Sequence, residues 1–349
     1  MNAELNTRLR SVLSAHLDHE GGSVFWLDRA RSLGITGPED VPTIRDLHRL
    51  GEMTAADLRR RPLMDYIPRS LLGTPERLVI GQTGGTTGAP VWTAYRDDEF
   101  RAAFVEPFVA AAKHVGFPQG EPWLFIGPSG PHLIGQAARA IARSVDSAEP
   151  FSVDFDPRWA RRLAAGSVAA QRYLQHVIDQ SMDTLSSQPI SVLFATPPVL
   201  LKLADTMTIA QRRRVRAVHY GGMAIDEVTL DRLQADAFPD ALHLAGYGNT
   251  LLGCCLELNT LRGRRLDYFP YGHRLLLETV NAEGHPAASG QLRVSRLDHS
   301  FLIVNLRERD HAQHVTPPPD APPGFSSPGV REPHTPQPAR KVPAVTGLY

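Results

Sequence analysis

Residues 81–90 read Gly81-Gln82-Thr83-Gly84-Gly85-Thr86-Thr87-Gly88-Ala89-Pro90, with four glycines and three threonines in ten positions. So few Cβ atoms let backbone N–H groups approach phosphate oxygens, and the threonine hydroxyls add donors. A plain surface turn seldom needs either in this number. The P-loop pattern G-x-x-x-x-G-K-S/T fails because no lysine follows Gly88, and the dinucleotide pattern G-x-G-x-x-G fails on spacing. A kinase or a dehydrogenase is therefore disfavoured. Only three of the 37 basic residues are lysines, Lys113, Lys202 and Lys341, so lysine chemistry has few candidates.

Three further segments follow: His219-Tyr220-Gly221-Gly222-Met223-Ala224, Leu244-Ala245-Gly246-Tyr247-Gly248-Asn249-Thr250, and Gly290-Gln291-Leu292 leading to Asn305-Leu306-Arg307-Glu308-Arg309-Asp310. With Thr83, Gly85, Thr86, Thr87, Gly88 and Pro90, they resemble, in order, the motifs of the adenylate-forming superfamily of acyl-CoA synthetases, luciferases and nonribosomal adenylation domains. Leu50-Gly51-Glu52-Met53-Thr54-Ala55-Ala56-Asp57-Leu58-Arg59 further resembles the helical lead-in of the phenylacetate-CoA ligase branch. The resemblance covers about the first 310 residues. It implies an α/β fold: the superfamily's large N-terminal domain, with two helix-covered sheets and a distorted β-barrel around a cleft.

The resemblance also implies site residues. Thr83, Thr86, Thr87 and Thr250 are the expected catalytic donors to the phosphates. Gly84, Gly85, Gly88, Gly221, Gly222, Met223, Tyr247, Gly248, Asn249 and Asp310 are expected to bind the nucleotide, Tyr247 by stacking on adenine and Asp310 through the ribose hydroxyls. Phe125, Gly127, Ser129, His132, His219, Tyr220 and Gly246 are expected around the acid, the histidines as partners for a carboxylate or an aromatic hydroxyl. ATP and Mg2+ are the implied cofactors. The implied reaction is adenylation of an aromatic carboxylic acid with release of pyrophosphate, then transfer to an amine or hydroxyl, as in truncated enzymes of phenazine or benzoxazole antibiotic biosynthesis. Transfer to a coenzyme A or carrier-protein thiol is the nearest variant. A nucleotide-binding protein without catalysis is the alternative from another class.

The sequence departs from the family pattern in three places. Leu251 stands where a magnesium-binding glutamate is usual, and a leucine offers no oxygen donor. Glu257 is near in sequence, and the metal ligand is left unknown. Ala89 replaces a lysine frequent before Pro90, with Arg307 and Arg309 as candidates to compensate. After Asp310 the usual mobile C-terminal domain with its catalytic lysine is expected to be missing; Lys341 in the proline-rich tail is read first as a solvated charge, and second as a group that folds back onto the acyl-phosphate.

Weaker signals have simpler readings. Gly127-Pro128-Ser129-Gly130-Pro131 misses the final glycine of the hydrolase elbow, which disfavours a serine hydrolase. Cys254 and Cys255 could join His243 or His273 at zinc, but no recognised ligand spacing is present. Arg212-Arg213-Arg214 reads as a solvated helix face.

The elements that must carry these residues follow from hydrophobic spacing. Leu9, Val12, Leu13 and Leu17, then Leu47, Leu50, Met53 and Leu58, recur at helical intervals and predict a helical lead-in over residues 1–72. Short apolar runs, Leu78–Ile80, Trp123–Ile126, Val192–Ala195, Val215–Tyr220 and Leu242–Ala245, alternate with helix-like segments and predict a mainly parallel sheet within a core over 73–310. Turn signals between Leu266 and Asn305 predict an antiparallel portion. Residues 311–349, with ten prolines, read as a tail.

The 37 basic and 37 acidic residues leave no net charge, which argues against a nucleic-acid or membrane partner. The expected partners are the acid and a small nucleophile, with a homodimer left open. Adjacent cysteines and the lack of an apolar leader fit the cytoplasm.

Overall fold

A computed structural model of the 349-residue chain describes residues 2–73, 77–84, 89–259 and 265–336. The first six strands are β1 Leu78–Gln82, β2 Trp92–Arg96, β3 Trp123–Ile126, β4 Phe151–Val153, β5 Val192–Ala195 and β6 Ala217–Tyr220. Then come β7 Leu242–Asn249, β8 Gly253–Glu257, β9 Asp267–Phe269, β10 Leu275–Val280, β11 Ser289–Leu297, β12 Leu302–Val315 and β13 Gly329–His334. Two compact units interleave along the chain: Met1–Glu106, Thr250–Gly253 and Phe269–Val330 form the first, and Pro107–Asn249, Cys254–Tyr268 and Arg331–Tyr349 the second.

The first unit opens with helices Asn2–Leu17 and Val24–Leu33, followed by short helical turns such as Ile44–Leu50, which Thr43 and Asp46 cap reciprocally. Leu9, Val12, Leu13, Leu50 and Met53 are wholly buried, as their spacing predicts. The strand expected from Leu78 is not part of a parallel sheet. β1 pairs antiparallel with β2 in a two-stranded hairpin, because so short a connection can join only antiparallel neighbours. β10, β11 and β12 form the antiparallel portion. β12 runs through Asp310 to Val315, and β13 lies inside the segment that composition reads as tail. A six-residue strand is stabilised by neighbours distant in sequence, which a composition window does not register.

The unit's centre is polar. Asp298, with no exposed surface, accepts from Arg296 Nε at 2.6 Å, from Arg274 Nη2 at 2.6 Å and from Arg8 Nη2 at 3.1 Å. Although burial acts to raise it, the guanidiniums hold its carboxyl well below the usual range. Beside it the buried His16 donates from Nε2 to the Asp298 carbonyl at 3.1 Å and accepts the Ser23 hydroxyl at Nδ1, 3.1 Å, roles assigned from the neutral ring.

The second unit carries the helix-covered sheet. Its strand order is β8-β7-β6-β5-β3-β4, and β4, β3, β5, β6 and β7 run parallel. Every residue of β3, β5 and β6 is buried, the signature of a sheet covered on both faces. β4, too short for the spacing argument, is an additional edge strand. No helix among the described residues is long and apolar enough to cross a membrane.

Burial pulls the His16 imidazole from 6.5 down to about 3. The folded state therefore binds fewer protons than the unfolded one between those values, so the stability His16 contributes is full above pH 6.5 and is lost as pH falls toward 3. The urea midpoint should drop steadily over that window, and His16→Gln should flatten part of the slope; an unchanged slope in the variant would contradict a buried neutral His16.

Candidate active site

In an open parallel sheet, ligands bind beyond the carboxyl ends of the strands, where successive connections leave in opposite directions. Here β3 connects to β4 on one side, while β5 connects to β6 on the other. The switch point lies between the ends of β3 and β5. The register there is Phe125 beside Phe194, Phe194 beside His219 and His219 beside Leu244. Ring centroids are 5.2 Å apart for Phe125 and Phe194, and 4.3 Å apart for Phe194 and His219.

Two positions beyond this row the chain carries Gly127, Thr196, Gly221 and Gly246. At the glycines other atoms of the chain come too close for a side chain. A Cβ on Gly127 would stand 2.4 Å from the Phe125 ring, one on Gly221 2.6 Å from the Gly246 carbonyl, and one on Gly246 3.2 Å from the His219 ring and 3.1 Å from Cys254 Sγ. Thr196, which sequence reading missed, is 7% exposed, and its hydroxyl has no hydrogen-bond partner among the described residues. It precedes helix Pro197–Thr206 yet makes no cap. Its signal in the sequence was only a threonine after an apolar run and before two prolines.

The other expected acid-site residues divide. His219 is buried; its Nδ1–H donates to the Leu244 carbonyl at 2.8 Å, and burial lowers the imidazole to about 4. The neutral ring then keeps Nε2 as an acceptor, suited to a hydroxyl and not to a carboxylate. Ser129 is half-buried on the loop after β3, and its N–H and hydroxyl donate to Asp154 at 2.8 and 2.7 Å. That hydroxyl faces a carboxylate, not the imidazole a serine hydrolase needs. His132 is buried in the same loop, its backbone N–H donating to the Ser129 carbonyl. Tyr220 does not join the row: neighbours in a strand alternate faces, and its ring packs 5.8 Å from His243, only 2% exposed.

Gly221 and Gly222, with Gly222 at φ +81°, lead from β6 into Met223, while Gly246, Tyr247, Gly248 and Asn249 end β7. Between these segments lies a cleft whose floor is Met223, Ala224, Ile225, Leu266, Tyr247 and Tyr268, the two tyrosine rings 5.7 Å apart. Asp226, Glu227, Asp231 and Glu332 line its rim with Arg265. A cleft with two tyrosine rings and several carboxylate acceptors in its lining suits a planar ring bearing an amino group.

Four expected residues belong to the first unit. Thr83 is half-buried at the neck of the β1–β2 hairpin, where its N–H donates to the Val91 carbonyl and its hydroxyl oxygen accepts the Val91 N–H, both at 2.9 Å. The Thr83 hydroxyl hydrogen remains to be donated. Gly84 follows, half-buried, as is Thr250 in the turn between β7 and β8 and Asp310 on β12. Gly85, Thr86, Thr87, Gly88 and Lys341 lie outside the described residues. Arg307, one candidate to replace the missing loop lysine, is paired with Glu52 at 2.9 Å. Arg59 donates instead to the Ala89 carbonyl at 2.7 Å, placing a guanidinium at the loop's end.

The described residues do not build a magnesium site. Leu251 is a buried aliphatic side chain, and among the described residues no group of three His, Cys, Asp or Glu side chains could hold a metal ion. This also removes the zinc reading of Cys254, Cys255, His243 and His273. Glu257 is buried in the second unit, where its oxygens accept the N–H groups of Asn259 and Asp267 at 2.9 and 2.6 Å. Burial pushes its carboxyl up to about 7 against those donors.

A helix-flanked parallel sheet with glycine-lined strand ends defines an α/β fold. Over 94% of its length the chain is similar to 2-hydroxyisobutyryl-CoA ligase in an open conformation with 2-HIB-AMP and CoA, at a TM-score of 0.67 and 16% identity, spanning 73% of that chain. The same ligase in its thioesterification state gives 0.64 at 16% identity over 95% of this chain and 67% of that one. Its postadenylation state with 2-HIB-AMP gives 0.63 at 17%, over 94% and 66%. No protein-family model matches the chain, and no curated protein matches it in sequence.

An unpartnered buried hydroxyl costs about 1–3 kcal/mol. Thr196→Val should therefore raise the melting temperature of the free protein by about 2 °C. A lower melting temperature would show that the hydroxyl is already satisfied.

Proposed function

We propose that the protein activates a carboxylic acid with ATP. A carboxylate oxygen attacks the α-phosphorus, the bond from that phosphorus to the bridging oxygen breaks, pyrophosphate leaves with the electron pair, and an acyl-adenylate remains. A nucleophile then adds to the acyl carbon, losing its proton, and AMP departs. The observation that carries this reading is the side-by-side emergence of Gly221–Met223 and Gly246–Asn249 at the carboxyl edge of the parallel sheet, where backbones meet without Cβ atoms beside a cleft lined by Tyr247 and Tyr268. The ligase-type fold supports it.

In this reading Tyr247 stacks on adenine, Gly221, Gly222, Met223, Gly248 and Asn249 flank it, and Asp310 takes the ribose hydroxyls. Thr83, Thr86, Thr87 and Thr250 donate to phosphate oxygens as charge builds there, with Gly84, Gly85 and Gly88 admitting the phosphates to backbone N–H groups. Arg59 adds a charge beside that loop. Mg2+ would enter with ATP on its phosphates and waters; no step is assigned to it.

The acid is an aromatic one in this proposal. Phe125 and Phe194 offer apolar aromatic surface, and His219 offers an acceptor for a ring hydroxyl. An amine or hydroxyl of a small molecule is the acceptor, in the setting of secondary-metabolite biosynthesis. Coenzyme A is the second reading, favoured by the likeness to a ligase that binds CoA. An inactive nucleotide-binding protein is the third, favoured by the buried Leu251.

Pyrophosphate exchange with a panel of aromatic acids tests the first half-reaction. At least one acid should support exchange, and Thr196→Val should raise KM for it about tenfold by removing one buried hydrogen bond. Tyr247→Ala should raise KM for ATP about tenfold, the worth of one stacked base. ATP binding without exchange for any acid would instead support the inactive reading, and product analysis with amines and coenzyme A separates the acceptors.

A further inference from the structure

The turn Thr250–Gly253 sits in the first unit on three consecutive carbonyls, each held by a buried donor. The Tyr95 hydroxyl donates to the Thr250 carbonyl at 2.9 Å, Arg296 Nη1 to that of Leu251 at 2.9 Å, and Arg274 Nη1 to that of Leu252 at 2.7 Å. The donors are themselves fixed. Arg296 lies 3.6 Å above the Tyr95 ring and also donates to Thr93 Oγ1, the Ala94 carbonyl and Asp298, at 2.7, 2.6 and 2.6 Å. Arg274 reaches Asp298 through Nε and Nη2. Tyr95 and Arg296 have no exposed surface, and Arg274 is 4% exposed.

The far end of the turn is as constrained. Gly253 has φ +97°, and a Cβ there would stand 2.7 Å from the Ala103 carbonyl and 3.0 Å from Arg274 Nη1. Only glycine fits.

Satisfying three buried carbonyls needs only three donors. A cluster of two buried guanidiniums and a carboxylate exceeds that need, since well-packed apolar residues stabilise a core at least as well as buried ion pairs. What the cluster adds is a turn with no freedom to shift. The half-buried residue so held is Thr250, and a displacement of about 1 Å at a reacting centre can cost a hundredfold in rate.

We propose that Tyr95 is a positioning residue: through its hydrogen bond to the Thr250 carbonyl, backed by Arg296 and Arg274, it sets the Thr250 hydroxyl where the α-phosphate develops charge. This rests on the adenylation reading above. Tyr95 itself touches no substrate. The effect of its hydroxyl therefore passes through the turn that carries Thr250.

The test is a double-mutant cycle in pyrophosphate exchange, with ATP affinity by calorimetry and melting temperature measured alongside. Tyr95→Phe keeps the ring under Arg296 and should lower kcat about tenfold, with KM for the acid within about twofold of wild type. Thr250→Val should lower kcat about a hundredfold, as for one lost transition-state donor. The double variant should match Thr250→Val within about twofold, because a residue that acts only through Thr250 has nothing further to lose. In a Thr250→Ser background, which restores the hydroxyl, the tenfold effect of Tyr95→Phe should return. Losses that multiply in the double variant, or a Tyr95→Phe kcat equal to wild type, overturn the inference while the adenylation reading stands. Wild-type protein that exchanges pyrophosphate with no acid overturns that reading, and the inference with it.

Discussion

Asp298, wholly buried between Arg274 and Arg296, is the interaction on which the first unit depends. Two guanidiniums and one carboxylate leave a positive excess that a low-dielectric interior tolerates only if the remaining N–H groups find acceptors. They find them in backbone carbonyls of Ala94, Leu251 and Leu252, and Arg8 adds that of Leu297. Segments far apart in sequence are thus tied to one carboxylate. The neutral His16, hydrogen-bonded to the Asp298 carbonyl, completes the enclosure without adding charge.

The second unit solves a different problem, that of bringing backbones close together at the end of a buried sheet. Its parallel strands bury both faces, so side chains fill every gap up to Phe125, Phe194 and His219. Beyond that row the glycines permit close backbone approach, and Thr196 keeps a buried hydroxyl without a partner among the described residues. A polar group there is worth more to a ligand than the same group in water, because no solvent competes for it. His219 follows the same logic: burial keeps it uncharged, and its hydrogen bond to Leu244 orients it.

Positive charge near the hairpin loop comes from arginine. Arg59 is tethered to the Ala89 carbonyl, while Arg307, expected from the sequence, is engaged by Glu52. A guanidinium presents a planar fork of donors and stays charged throughout the accessible pH range, so it can serve a phosphate where a lysine is absent. The sequence pointed to Arg307 and Arg309 and not to Arg59, which arrives from a short helix some thirty residues before the loop.

The alternation of apolar runs and helical spacing determined by itself that the chain is α/β, because burying both faces of a strand demands continuous apolar residues, and β3, β5, β6 and β7 lie where those runs stand. The glycine-rich motifs likewise marked the strand ends, since glycine is selected by local backbone geometry. Pairing direction, as in the antiparallel β1–β2 hairpin, and the short strands β4 and β13 were decided by neighbours remote in sequence. So were the face that Tyr220 occupies, the unpartnered hydroxyl of Thr196 and the convergence of Tyr95, Arg274 and Arg296 on one turn. A residue's type states which bonds it can make, but only tertiary packing determines which partners come within reach and which are shut away from water.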